Sequence, residues 1–188
     1  MSNNPIEQLV DDHRYILMVV DYLKAISADI TDVQKPLDQG LLRQTVSFLR
    51  EFADICHHGK EEDLLFPALV EANVPESGCP IGGLKGEHNK GRALVSQLEE
   101  GLDKVAGDEQ RGRELIAGAV AGLVALYPDH IWREDAMVFP MALNLLDAAS
   151  LERLERGFAE VEAKHQVCHA HHVAFAEGLR HRLAEAGT

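Results

Sequence analysis

Two stretches decide how this chain folds: His57-His-Gly-Lys-Glu61-Glu-Asp-Leu-Leu-Phe66-Pro67 and His130-Ile-Trp-Arg-Glu134-Asp-Ala-Met-Val-Phe139-Pro140. Both read histidine, three residues, glutamate, an acidic residue, then Phe-Pro at five and six past the glutamate. The copies stand 73 residues apart, and His13 and His88, 75 apart, each precede one copy by about one helix. Residues at i and i+4 share one helix face, about 5–6 Å apart at Cβ. His57 with Glu61, and His130 with Glu134, are therefore each spaced to reach one ion. The chain reads as two helical hairpins, each with a lone histidine on its first helix and His-x3-Glu on its second.

Outward from these segments, apolar residues recur at three and four, and no segment alternates with period two. The first of five predicted helices starts near Pro5, with Asn4 as N-cap. Its stripe includes Ile6, Leu9, His13, Leu17, Val20 and Leu23. The second covers about 37–72, with Leu42, Val46, Leu49, Ala53, His57, Glu61, Leu64 and Ala68 on its stripe. A loop at Val74–Pro80 leads to a third over about 81–106, with Leu84, His88, Val95, Leu98 and Leu102 inward. The fourth runs from an Asp108 cap to about 147, with Ile116, Val120, Leu123, Tyr127, His130, Glu134 and Met137 inward. The fifth covers about 150–186 from a Ser150 cap. Long helices with short connections bury their stripes by lying antiparallel. The expected fold is all-α: an up-down-up-down four-helix bundle with an additional C-terminal helix. No linker divides it, so residues 1–188 read as one domain, with a core over about 6–147.

Composition excludes several function classes. With 18 Lys+Arg against 31 Asp+Glu the formal charge is -13, which repels nucleic acid and anionic membrane surfaces at long range. The first residues carry no basic or apolar leader, and no uninterrupted apolar run approaches the ~20 residues of a membrane span. The expected location is the cytoplasm. Cys56, Cys79 and Cys168 are odd in number and share no motif spacing, so no disulfide framework is implied.

The periodicity points His13, His57, Glu61, His88, His130 and Glu134 inward. Two ionised carboxylates in a core cost several kcal/mol each without a counter-charge. No Lys or Arg falls on these stripes near them, which leaves cations from solution. Imidazole beside carboxylate suits iron, zinc, manganese or copper. His58 with Glu62 is a competing register, but only His57 with Glu61 gives both copies the same offset to Phe-Pro. Pro67 and Pro140 each remove a helical hydrogen bond and are expected to bend or end the helix beside the site.

His13, the run His57–Pro67, Glu87-His88 and the run His130–Pro140 resemble the hemerythrin-like (HHE cation-binding) family over about residues 6–145. The resemblance implies a non-haem di-iron centre, oxo- or hydroxo-bridged. His13, His57, His88 and His130 would be terminal ligands, and Glu61 and Glu134 would bridge two iron ions. Oxygen-carrying hemerythrins have a further histidine one turn before the third-helix histidine, where this chain has Leu84. They also carry an Asp five past the fourth-helix histidine, where Glu134 stands at four. Of about twelve coordination positions, these ligands and a solvent-derived bridge leave about one open on each iron. Dioxygen, nitric oxide or peroxide is the expected small ligand. Three function classes follow: an enzyme acting on such ligands, a sensor or store of oxygen or iron, and a bundle with structural metal.

Other residues carry weaker signals. His165, Cys168, His169 and His172 could form a second metal site, or pack on the bundle or a second copy of the chain in a homodimer. Glu162-x-x-His165 has ferritin-type spacing but occurs once, where such a centre needs two. Cys56, Tyr15, Tyr127 and Trp132 read foremost as packing or surface residues.

Overall fold

A computed structural model describes residues 4–186, apart from the side chains of 166–168 and 185–186. Among the described residues all regular structure is helical, in five runs: α1 (Pro5–Ile30), α2 (39–71), α3 (Ile81–Lys104), α4 (Glu109–Leu145) and α5 (Ala148–Ala186). Short polar side chains start four of them by accepting an otherwise unpaired N–H. Asn4 takes that of Ile6 at 3.0 Å, Asp38 that of Leu41 at 2.9 Å, and Asp108 that of Arg111 at 3.0 Å. On α5 the cap is not Ser150. Asp147 accepts the Ser150 N–H at 2.8 Å, so the helix begins one turn earlier and Ser150 lies inside it.

The departure that matters most is in winding. Phe48–His58 and Glu61–Leu65 in α2, and Glu134–Val138 in α4, are π-helical. In such turns the N–H reaches back five residues, which inserts one extra residue into the helix. Phe66 N–H bonds Glu61 O, and Phe139 N–H bonds Glu134 O, so the two copies close their wide turns identically. Pro67 and Pro140 do not end the helices, which run on to 71 and Leu145. Each proline falls at the start of the α segment that follows, where a missing N–H costs least. The extra residue moves the inward face by one position. Leu65 is buried where Leu64 is expected, and Val138 where Met137 is expected; Met137 is exposed.

The buried apolar residues form two clusters. One contains Ile6 and Leu9 of α1, Leu65, Phe66 and Leu69 of α2, Ile81 and Leu84 of α3, Val138 and Phe139 of α4, and Leu154 and Phe158 of α5. The other contains Ile16–Leu23 positions of α1, Leu42–Ala53 positions of α2, Val95–Leu102 positions of α3, Ile116–Ile131 positions of α4, and Ala176 and Leu179 of α5. Successive helices meet the two clusters in alternating order. Between the clusters α1, α2, α3 and α4 contribute buried charged or imidazole side chains.

At one end α3 and α4 touch backbone to backbone. A Cβ on Gly101 would stand 2.9 Å from Gly112 O and 2.7 Å from Ile116 Cγ1, so only glycine fits. Arg113 is buried nearby and gives its guanidinium to the carbonyls of Ile30 at 2.9 Å and Lys35 at 2.9 Å, tying down the turn after α1. Helix α4 includes an 18-residue window of mean hydropathy 1.4. That window needs no membrane to account for it: Ile116, Ala119, Val120 and Leu123 are fully buried by α1 and α3.

Candidate metal centre

The polar layer between the two clusters gathers all six predicted residues, and all six are buried. One ligating atom each from His13, His57, Glu61 and Glu134 lie within 4.8 Å of one another. His88 and His130 lie within the same limit of each other and of a third histidine, His58. Glu134 stands between the groups, its Oε2 3.2 Å from His13 Nε2 and 3.3 Å from His130 Nε2, its Oε1 3.7 Å from His88 Nε2. Glu61 Oε2 is likewise 3.8 Å from His57 Nε2 and 3.4 Å from His88 Nε2.

Inside this layer the hydrogen-bonding is incomplete. Both oxygens of Glu61, both of Glu134, and Nε2 of His13, His88 and His130 are buried with no hydrogen-bond partner. Seven such atoms at one place are far from the few orphaned groups a fold tolerates. Burial pushes the carboxyls of Glu61 and Glu134 well above their usual range, and for Glu134 the neighbouring Glu61 charge adds to it. Burial also holds His57 down at about 3 and His130 at about 4, so both imidazoles are neutral at pH 7. Neutral imidazole and a carboxylate seeking a cation are the states a metal requires.

Outside the layer the pattern reverses, and every outer nitrogen faces a carboxylate. His13 Nδ1 lies 2.8 Å from Asp135, His88 Nδ1 2.6 Å from Glu62, His130 Nδ1 2.9 Å from Glu87, His58 Nδ1 3.3 Å from Asp54, and His57 Nδ1 3.4 Å from Asp12. A carboxylate on one nitrogen fixes the tautomer and aims the other nitrogen, the usual support of a metal-bound histidine. Burial works against ionising Glu62 and Glu87, but His88 and Arg92 on one, and His130 and Arg133 on the other, hold both below the ordinary range. Glu62 is thus the outer partner of His88. These five carboxylates are what a six-residue reading of the sequence misses; Asp135 and Glu62 follow directly on Glu134 and Glu61, the only signal that marks them.

Lys60 is fully buried one residue before Glu61, yet it turns away from both glutamates. It donates to Asp12 and to Glu162 of α5, and its Nζ lies 5.8 Å from the Phe158 ring centre. Among the described residues no cationic side chain offsets Glu61 and Glu134 directly.

The lesser residues resolve as follows. His169 lies near Asp12 and Glu162, at 3.7 and 3.8 Å. His172 is buried against Phe48 and Phe52, with Glu51 at 3.4 Å. His165 lies along a groove with Ile55 and Leu64. These three do not converge among the described residues, and the side chain of Cys168 lies outside them. Cys56 is buried, and burial pushes its thiol up to about 11, a poor nucleophile. Tyr15 packs edge-on to Phe52, and Trp132 is exposed. Tyr127 is buried beside His130 and lines a cavity with His58, Gly91 and Arg92.

The geometry agrees with the comparisons. The model of the hemerythrin HHE cation-binding domain matches residues 4–142, and a second time residues 79–187. An uncharacterized protein of Mycobacterium bovis and two of Mycobacterium tuberculosis are each 25% identical over 159 residues, which is 83% of this chain. The chain spans 60% of the length of these curated relatives. With its helices and its buried histidine–glutamate layer, the chain belongs to the hemerythrin HHE cation-binding domain family.

Proposed function

We propose that this chain holds two iron ions on His13, His57, Glu61, His88, His130 and Glu134, and that the pair binds or reacts with dioxygen, nitric oxide or peroxide. The observation that carries the reading is the set of seven unpartnered inward atoms, each backed by a carboxylate-fixed ring or borne by a buried glutamate. Two anionic carboxylates in an apolar interior call for positive charge of at least equal size. The spread of donors over two groups, with the glutamates between, suits two ions better than one. When bound, iron supplies a redox-active Lewis acid at a position open to a small ligand. His57 and His130 present neutral nitrogens, Glu61 and Glu134 would supply negative charge between the two groups of donors, and the two flanking apolar clusters exclude water.

The helices supporting this site form an up-down-up-down bundle with α5 as a fifth member, a topology supported by the alternating order in which successive helices meet the two clusters. The whole forms one cytoplasmic domain. The test is metal analysis with an absorption spectrum of aerobically purified protein, then addition of each ligand to the reduced form. Two irons per chain with charge-transfer bands, and a spectral response to at least one ligand, are expected. One ion, zinc alone, or no response to any of the three overturns the proposal.

A further inference from the structure

We infer that His58 is a seventh ligand of the centre, giving one ion the nitrogens of His58, His88 and His130 and the other only those of His13 and His57. This rests on the di-iron reading and deepens it. The repeat favours His57 over His58, because only His57 has a counterpart in the second copy. Winding removes the need to choose. The π-helical run Phe48–His58 brings adjacent residues inward together, and both rings are buried.

On its outer nitrogen His58 is treated by its surroundings as His13, His88 and His130 are. Its Nδ1 faces Asp54 at 3.3 Å, and Asp54 is itself held by Arg92 Nε at 2.7 Å. Its ring lies on that of His88, centres 3.9 Å apart and planes 13° from parallel, and edge-on to His130 at 5.9 Å. One nitrogen of each of the three falls within 4.8 Å of the others. A third nitrogen one turn before His88 is unavailable, because Leu84 lies in the apolar cluster. His58 reaches the same side of His88 from the neighbouring helix instead.

The consequence is an unequal pair. Three nitrogens and two glutamate oxygens would give one ion the fuller set of protein donors. The other has one fewer donor, so the small ligand has a single place to bind, beside His13 and His57. The count of one open position on each iron is thereby replaced. The cavity lined by His58, Tyr127 and Arg92 would then lie on the side of the ion with the fuller donor set.

Iron-loaded wild-type protein is measured first by Mössbauer spectroscopy. Two doublets of equal area from unlike sites are expected; a single doublet from equivalent irons overturns the inference and leaves the di-iron reading standing. Absence of two irons defeats both. In His58→Ala, one of the two ions is expected to be held at least ~10-fold more weakly against a chelator, since even an outer partner of a ligand costs that much. Its doublet shifts, and added imidazole restores it. If His58→Ala or, should that variant misfold, His58→Gln keeps both ions and both doublets while only the rate of ligand entry changes, His58 is a wall of the cavity and no ligand.

Discussion

Lys60 Nζ lies 3.1 Å from Asp12 Oδ2, with the lysine fully buried and the aspartate nearly so. The pair joins α1 to α2, and Glu162 on the other side of Nζ brings in α5. Burial opposes the charge on Asp12, but the nearby His169 and His57 rings and the Lys60 charge outweigh it and hold its carboxyl far below the usual range. Removing one member of a buried pair strands the other charge, at a cost of roughly 3–5 kcal/mol. Lys60→Met is therefore expected to destabilise by about that much in urea titration, and Lys60→Met with Asp12→Asn by clearly less. Equal losses in the single and double variants would show that the pair is not what holds these helices.

Glu61→Gln and Glu134→Gln should act in opposite directions on the stripped and loaded protein. Without metal, each carboxyl is forced toward its neutral form, so an amide of the same shape removes a penalty. Each variant should raise the melting temperature of chelator-stripped protein by about 2–4 °C, equivalent to ~1 kcal/mol in a chain of this size. The same variants should fail to retain two irons. A fall in the stripped protein's melting temperature would mean that these glutamates are satisfied without a cation.

Stability should depend on pH more in the stripped protein than in the loaded one. Burial lowers the folded pKa of His57 to about 3 and of His130 to about 4, while an unfolded histidine titrates near ~6.5. As pH falls below ~6.5 the unfolded chain takes up protons that the folded chain refuses, so stability falls. The glutamates act with the other sign: their folded pKa is raised, so the stability they contribute is present below ~4.3 and lost as pH rises above it. Between ~4.3 and ~6.5 the two effects oppose and offset, so chelator-stripped protein loses stability below that window through the histidines and above it through the glutamates. Melting curves from pH 4.5 to 8 should show stripped protein nearly level up to ~6.5 and losing stability above it, with iron-loaded protein nearly level throughout.

Gly101→Ala should destabilise without touching the centre. Its new methyl would press on Gly112 O and Ile116 at under 3 Å, and the backbone cannot yield cheaply. A loss of about 1–3 kcal/mol is expected, with iron content unchanged. Loss of iron would show that the packing at this end governs the site.

Much of this was legible in the sequence because it rests on period and on local chemistry. The stripes of α1 and α3, the Asn4 and Asp108 caps and the inward facing of His13, His57, Glu61, His88, His130 and Glu134 follow from spacing alone. What escaped was set by winding and by partners distant in sequence. A 3.6 period assumes a uniform helix, so it names Leu64 and Met137 where the wide turns bury Leu65 and Val138. The same assumption makes His57 and His58 rivals, when both are buried. The contacts of His13 with Asp135 and of Lys60 with Glu162 span 122 and 102 residues, distances over which no local pattern speaks. Ser150 yields to Asp147 as cap because both can accept an N–H and only the chain's path selects between them.

The interior is cut across its middle by a layer of charge, with one oily half around Phe66 and Phe139 and another around Phe52 and Leu123. Oil on either side of such a layer does not cohere through it, so bound cations would act as the rivet that makes two small cores behave as one. Withdraw them, and the half containing both chain entry and the α2–α3 loop can fray while the other stays shut. Hydrogen exchange of the stripped protein should then divide at His13, with faster exchange at Ile6 and Leu9 than at Val19 and Leu23.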